Sequence, residues 1–375
     1  MVDIAPGSIS DLRSILTNAS ARTVVVFAGG SSFEGSGAAK AIERATEGVV
    51  TRLVRDIPEN PDLATVNAAI DTYRAAPPDA VIAIGGGSVM DLAKVVNAVA
   101  PLADDARPYV TGAKTLSGGS VPLIAVPTTS GTGSEATRYA VVTVDGVKLP
   151  MGDVSLLPVH VILDPELTYT VPPGVTASTG LDALAQAMEA MWSVRSDDAS
   201  NEPATRGLVL ALANIERAVN NPDPGSRTAM MEAAYLSGVA IDTTATTAPH
   251  ALSYRLTTEH GVPHGHAVAL TLGAVLEYNA GVTSSDVNDA RGVDHVRAAV
   301  SAVCDVLGVP DPTAGRRLLY DLIAGIGLDP TFAGVGADSP EARAVIVESV
   351  SPARLANNPR AFPGDSLSKL IASIP

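Results

Sequence analysis

Between Thr23 and Val126 the chain alternates short apolar runs with amphipathic stretches. TVVVFA at 23–28, Val49–Val54, AVIAI at 80–84 and VPLIAV at 121–126 are β-branched runs bounded by turn residues, and they read as buried strands. Between them, Ala38–Thr46, Asp62–Ala75 and Val89–Ala100 follow helical spacing, with Leu63, Val66, Ile70 and Tyr73 on one face. Strands alternating with helices predict a parallel sheet with right-handed crossovers. Residues 138–149 predict a hairpin turning at Asp145-Gly146, and Val161–Asp164 predicts a last short strand.

The period changes after Pro172-Pro173-Gly174. Helical patterns then run over Thr179–Ser193, Glu202–Asn220, Arg227–Thr243, Ala267–Tyr278, Val287–Leu307 and Thr313–Ile326, with one more near Pro340–Val350. Leu184, Met188 and Met191 form the apolar stripe of the first. The expectation is an α/β N-terminal Rossmann-like domain with a parallel sheet over residues 1–173. An all-α C-terminal domain follows over 174–375, with a cleft between the two.

Composition narrows the function classes. Apolar residues make up 46% of the 375 positions and charged residues 17%, which describes a globular protein with a large core. Aromatics are only 3%, so that core is built from Ala, Val, Leu and Ile. A net charge of −15 repels polyanions and argues against nucleic acid and anionic membrane surfaces as partners. An anionic ligand must then be captured locally, by helix N-termini, a few Arg or Lys, or a metal. The single Cys304 excludes internal disulfides and a thiolate zinc cluster. With neither a signal-like N-terminus nor a long apolar run, the expected location is the cytoplasm.

Two strand ends carry ligand-binding chemistry. In GGGSVMDLAK, at 85–94, three glycines separate a strand from a helix, so that backbone N–H groups and the helix N-terminus face a phosphate. Asp91 and Lys94 follow on that helix. PTTSGTGSE, at 127–135, offers five hydroxyls at the carboxyl end of the next strand, where open α/β sheets bind ligands.

In the helical half, four of the six histidines, His250, His260, His264 and His266, fall within seventeen residues. His250 and Tyr254 share a helix face, as do Asp182 and Gln186 on another helix. Asp182, His250 and His264 make one carboxylate and two imidazoles, a set that suits Fe2+ or Zn2+ with positions left for substrate.

GGGSVMDLAK, PTTSGTGSEAT, the LLP…ILDPELT run at 156–168, TGLDALAQAMEAMWS and HALSY…PHGHAVAL together resemble, in the same order, the iron-containing (group III metal-dependent) alcohol dehydrogenases. The resemblance covers roughly residues 20–365. It implies a dehydroquinate synthase-like architecture, an NAD(P)H cofactor on the first domain and one divalent metal on the second, Fe2+ ahead of Zn2+. It places Gly86, Gly87 and Ser88 at the pyrophosphate with Asp91 beside them. Thr128, Thr129 and Ser134 fall near the nicotinamide and ribose, and Lys148 near the ribose. It makes Asp182, His250 and His264 metal ligands and implies a homodimer.

Three positions depart from the family pattern. Gln186 stands where a ligand histidine is usual and is carried here as a weaker candidate ligand. Tyr254 replaces a second histidine. Gly30 stands where some NAD-specific members carry Asp, so NADPH is expected to be accepted. With the W-S-V segment and H-A-x-S-Y, the first two departures resemble the phosphonoacetaldehyde reductases, although Arg255 replaces a common Pro. The activity implied is metal-assisted reduction of a small anionic aldehyde to its alcohol, best matched by phosphonoacetaldehyde to 2-hydroxyethylphosphonate. Tyr254 or His260 would relay the proton, and Arg255, Arg138 and Arg195 are candidates for the anion, Arg255 first. Alternatives are a general short-chain aldehyde reductase of the same family and a dehydroquinate synthase-like lyase, which five lysines serve poorly. A metal-free, non-catalytic binding protein is the remaining class.

Overall fold

The buried strands assemble into one parallel sheet because each run is apolar on both faces and needs cover on both. In the computed structural model, which describes residues 4–350 and 352–375, the strands are β1 (Thr23–Ala28), β2 (Val50–Val54), β3 (Ala80–Gly85), β4 (Leu123–Pro127), β5 (Tyr139–Val144), β6 (Val147–Gly152) and β7 (His160–Val161). β2-β1-β3-β4-β7 form the five-stranded sheet, all pairs parallel. Val25, Phe27, Val81 and Ala83 point to the helices Leu63–Ala75 and Gly87–Val99. Val24, Val26, Ile82 and Ile84 point to the opposite face, covered by Leu12–Asn18 and Ala38–Ala45.

β5 and β6 form an antiparallel hairpin whose turn is Asp145-Gly146, both at positive φ. The last strand is shorter than the pattern predicts. The Asp164 carboxylate accepts from the N–H groups of Gly7, Ile9 and Glu166, each at 3.1 Å, and turns the chain into the 3-10 segment Pro165–Thr168. The register with β4 ends at Val161, where Ile162 N makes the last bond to Ala125 O at 2.9 Å and Leu163 bridges to Ile4 instead.

Two compact units divide between Val171 and Pro172. The second consists of helices around one apolar core. Its first helix, Pro173–Trp192, begins six residues earlier than the hydrophobic stripe indicates, because Pro173 at the first helical position needs no hydrogen bond. The helix expected over 287–307 begins only at Val293. Gly292, at φ 91°, and the Asp289 carboxylate bound to Arg291 N–H hold the preceding residues in turns. Among the described residues, no helix is long and apolar enough to cross a membrane.

Candidate metal centre and dinucleotide loops

Three helices of the second unit bring the ligand atoms together. Asp182 lies in the middle of Pro173–Trp192, His250 in the first turn of Ala248–His260, and His264 opens His264–Ala280. Their ligand atoms all lie within 4.8 Å of one another. His250 Nε2 is 3.2 Å and His264 Nε2 4.0 Å from Asp182 Oδ1, and the two rings meet edge to face at 5.4 Å. Asp182 and His250 are buried, whereas His264 is partly exposed and leaves one side of the group open. Gly265 makes this approach sterically feasible. A Cβ there would stand 1.8 Å from the Ser178 carbonyl oxygen and 2.8 Å from Asp182 N.

A second carboxylate sets the imidazole. Glu189, fully buried, lies seven residues after Asp182 and faces the same way. Its Oε2 accepts from His250 Nδ1, and its Oε1 accepts from Thr247 N at 2.8 Å and Thr247 Oγ1 at 2.9 Å. Trp192 Nε1 in turn donates to Thr247 Oγ1 at 2.9 Å. This is the carboxylate–histidine arrangement that fixes a metal-ligating ring. Both ring nitrogens face carboxylates. Burial alone would depress the His250 pKa, but Glu189 and Asp182 raise it to about 10. A cation at Nε2 would replace that proton. Burial likewise opposes charge on Asp182, yet the hydrogen bond from His250 and the charges of His264 and His250, with Gln186, hold it below the usual carboxylate range.

Gln186 fits the same cradle. It follows Asp182 by one helical turn and lowers the pKa of that carboxyl, and its carboxamide oxygen is buried with no hydrogen-bond partner among the described residues. An orphaned acceptor one turn from a carboxylate that faces two imidazoles is what a divalent cation would satisfy. The residues fit a metal.

Other candidates in the second unit do not join this group. His260 ends its helix ten residues beyond His250, about 15 Å along the axis, too far to relay a proton there. Arg255 sits about 140° around the helix from His250 and pairs with Glu259 at 2.7 Å, because five residues of helix turn it onto the exposed side. Arg195 is exposed beyond the end of Pro173–Trp192, ten helical residues and more from Asp182. Arg138 belongs to the first unit, just before β5. His266 is buried, and its Nε2 meets the Asp329 carbonyl oxygen at 2.7 Å, a tether for that loop. Tyr254 does lie one turn beyond His250, mostly buried, with the Arg354 guanidinium 4.2 Å from its ring centroid.

In the first unit, β3 and β4 end side by side, with Gly85 paired to Pro127 and Thr128 N donating to Gly85 O at 3.0 Å. Gly86 caps the helix Gly87–Val99, and a Cβ on Gly87 would meet Thr132 Cγ2 at 2.7 Å, so the two loops touch. Thr129 lies beside Gly86, the Thr128 and Ser130 hydroxyls are buried with no hydrogen-bond partner among the described residues, and the Ser88 hydroxyl accepts from Asn60 N at 3.1 Å. Gly30 caps the short helix after β1, and Lys148 is buried on β6 opposite Thr143.

Two of the expected cofactor contacts are used internally. The Asp91 carboxylate accepts from Ser134 Oγ at 2.8 Å and Val141 N at 3.0 Å, so it pins the 128–134 loop and does not face a pyrophosphate. Lys94, buried on the same helix, donates to Ser134 Oγ at 2.9 Å, so that hydroxyl also points inward. Glu135 in the same loop is buried, which pushes its carboxyl up to about 7 against its own backbone hydrogen bond and the Lys94 charge.

Comparison with known proteins gives a consistent picture. Residues 2–165 match the profile of iron-containing alcohol dehydrogenases, and residues 176–374 that of the C-terminal region of the Fe-containing alcohol dehydrogenase family. The chain is 37% identical over 331 residues to a phosphonoacetaldehyde reductase from Streptomyces viridochromogenes, covering 86% of this chain and 82% of that one. A long-chain-alcohol dehydrogenase from Geobacillus thermodenitrificans is 32% identical over 82% of this chain and 78% of its own. Among solved structures, a sulfoacetaldehyde reductase from Bifidobacterium kashiwanohense in complex with NAD+ superposes with a TM-score of 0.87 at 30% identity, covering 100% of both chains.

Proposed function

This chain belongs to the iron-containing alcohol dehydrogenase family, and from that premise we propose that it reduces phosphonoacetaldehyde to 2-hydroxyethylphosphonate with a nicotinamide cofactor. The chain is an oxidoreductase that interconverts an aldehyde and an alcohol. Its substrate is a finer matter, because a relative at 32% identity is a long-chain-alcohol dehydrogenase. The observation that carries the substrate is the 37% identity to a phosphonoacetaldehyde reductase over most of both chains.

In this reading Asp182, His250 and His264 hold the metal, with the Gln186 oxygen offered beside them. When bound, the metal supplies a Lewis acid for the carbonyl oxygen, and the nicotinamide supplies the hydride. Glu189 keeps the proton on His250 Nδ1 and so aims Nε2 at Asp182. The turn at Gly85–Gly87 and the loop 128–134 bind the dinucleotide through backbone N–H groups and hydroxyls, while Asp91 and Lys94 hold that loop in shape. Burial raises the Tyr254 pKa against the opposing Arg354 charge, so the phenol keeps a proton at neutral pH for the alcohol product. Gly30 brings no carboxylate to oppose a 2′-phosphate, which supports acceptance of NADPH.

The test is a panel of aldehydes with NADH and with NADPH. Phosphonoacetaldehyde should exceed propanal in kcat/KM by about 100-fold or more, since charged-group contacts contribute roughly 1.5–3 kcal/mol each. Equal values would refute the assignment. A second reading, sulfoacetaldehyde, is favoured by the 30% identical sulfoacetaldehyde reductase that covers the whole chain, and the same panel decides between the two.

A further inference from the structure

The net charge of −15 leaves an anionic substrate dependent on a cation close to the metal group. Arg255, next in sequence to Tyr254, is turned away and engaged with Glu259. A different cation comes to this place from a hundred residues further on. Arg354, in the short helix Pro352–Leu355, puts its guanidinium carbon 4.2 Å from the Tyr254 ring centroid. Tyr254 follows His250 by one helical turn, about 6 Å along the axis, on the same face.

The segment carrying Arg354 is fixed by buried hydrogen bonds. Asn357 Nδ2 donates to Thr244 O at 2.7 Å and to Thr246 O at 2.9 Å, and its Oδ1 accepts from Ser193 Oγ at 3.1 Å. Asn358 Nδ2 donates to Asn279 Oδ1 at 2.8 Å and Arg360 O at 2.7 Å. Arg354 is thus tied, three residues before Asn357, to the connection that enters the His250 helix. The guanidinium carbon lies over the ring, and the N–H donors of a guanidinium lie in its own plane around the rim. That rim matches two oxygens of a tetrahedral oxyanion.

We propose that Arg354, over the Tyr254 ring, binds the charged end of the substrate, a phosphonate or sulfonate, and selects anionic over neutral aldehydes. The inference rests on the anionic-aldehyde reading given above. It assigns the Tyr254 ring a second task, as the platform that orients the guanidinium.

R354M, R354K and R354A are compared with the wild type in the metal-loaded enzyme. KM is measured for phosphonoacetaldehyde, sulfoacetaldehyde and propanal, and Ki for ethylphosphonate against propanal. R354M, which fills the space without charge, should raise the anionic KM values and the ethylphosphonate Ki on the order of 10- to 100-fold. The loss for propanal should be at least tenfold smaller. R354K should recover part of the affinity, because it restores charge but not the planar fork. The stronger of the two anionic responses identifies the oxyanion. Losses in equal proportion for neutral and anionic aldehydes in R354M and R354K would overturn the inference and mark a packing role. Wild-type preference for anionic aldehydes that persists in R354M would also overturn it, while leaving the substrate reading intact. A wild type with no such preference would overturn the substrate reading itself.

Discussion

Glu189 offers the most direct probe of how the metal group is held. Replacing it by Gln preserves volume but exchanges one acceptor oxygen for an N–H2 donor. The wild-type carboxylate accepts three hydrogen bonds, two from Thr247 and one from His250 Nδ1. If the Gln oxygen takes the Thr247 side, its N–H2 group confronts His250 Nδ1–H. The imidazole must then move its proton to Nε2, the atom that faces Asp182 at 3.2 Å and should ligate the metal. If the oxygen takes the histidine side, two buried Thr247 donors lose their acceptor, at about 1–3 kcal/mol each. The first outcome is cheaper and acts on the metal. E189Q should therefore weaken metal affinity about 10- to 100-fold, or roughly 1.4–2.8 kcal/mol, as measured by competition with a chelator of known affinity. E189D, one methylene short but still an acceptor, should recover part of it. An affinity within threefold of wild type for E189Q would refute the argument that this carboxylate sets the tautomer.

Other perturbations address neighbouring parts of the fold. G265A places a methyl group 1.8 Å from the Ser178 carbonyl oxygen, so the two helices must separate; a melting temperature several degrees lower and poor metal retention are expected, and an unchanged melting temperature would contradict the close approach. Q186H replaces a carboxamide by an imidazole beside Asp182 and should slow metal loss to a chelator by tenfold or so; equal rates would place position 186 outside the ligand set. Glu135 titrates at about 7 when folded against about 4.5 unfolded, so the native state binds the extra proton. Stability contributed here is therefore full below pH 4.5 and falls as pH rises to 7, by roughly 3 kcal/mol. E135Q should flatten that part of the urea-denaturation profile, and a slope identical to wild type would exclude Glu135 as its source.

Much of the first unit is legible from local pattern. A strand such as β1 or β3 is a run of branched apolar residues whatever surrounds it, and the glycines after β3 announce a turn. The hairpin turn at Asp145-Gly146 is equally local, since both residues tolerate positive φ. Boundaries were less legible. The start of the first long helix depends on a proline that also reads as a breaker, and the start at Val293 depends on a turn closed by Asp289 and Arg291.

The site divides in the same way. Asp182, Gln186 and Glu189 follow helical spacing, so the face they share is written in the chain, although nothing local marks a lone Glu189 in an apolar helix as the partner of a histidine. Gly265, between two histidines at a helix start, carried a similar signal of close approach. What position alone could not separate were the four histidines and the several arginines of the chain.

Residue types and their periods determined the two-part architecture, the glycine and hydroxyl loops and the presence of metal-ligating chemistry, because those follow from contacts a few residues apart. Tertiary structure alone decided which histidines converge, that Asp91 and Ser134 face inward, and that Arg354 lies over Tyr254 while Arg255 turns away. The physical reason is distance along the chain. A helix fixes direction to within a residue, but which residue of another helix it meets depends on packing summed over the whole core.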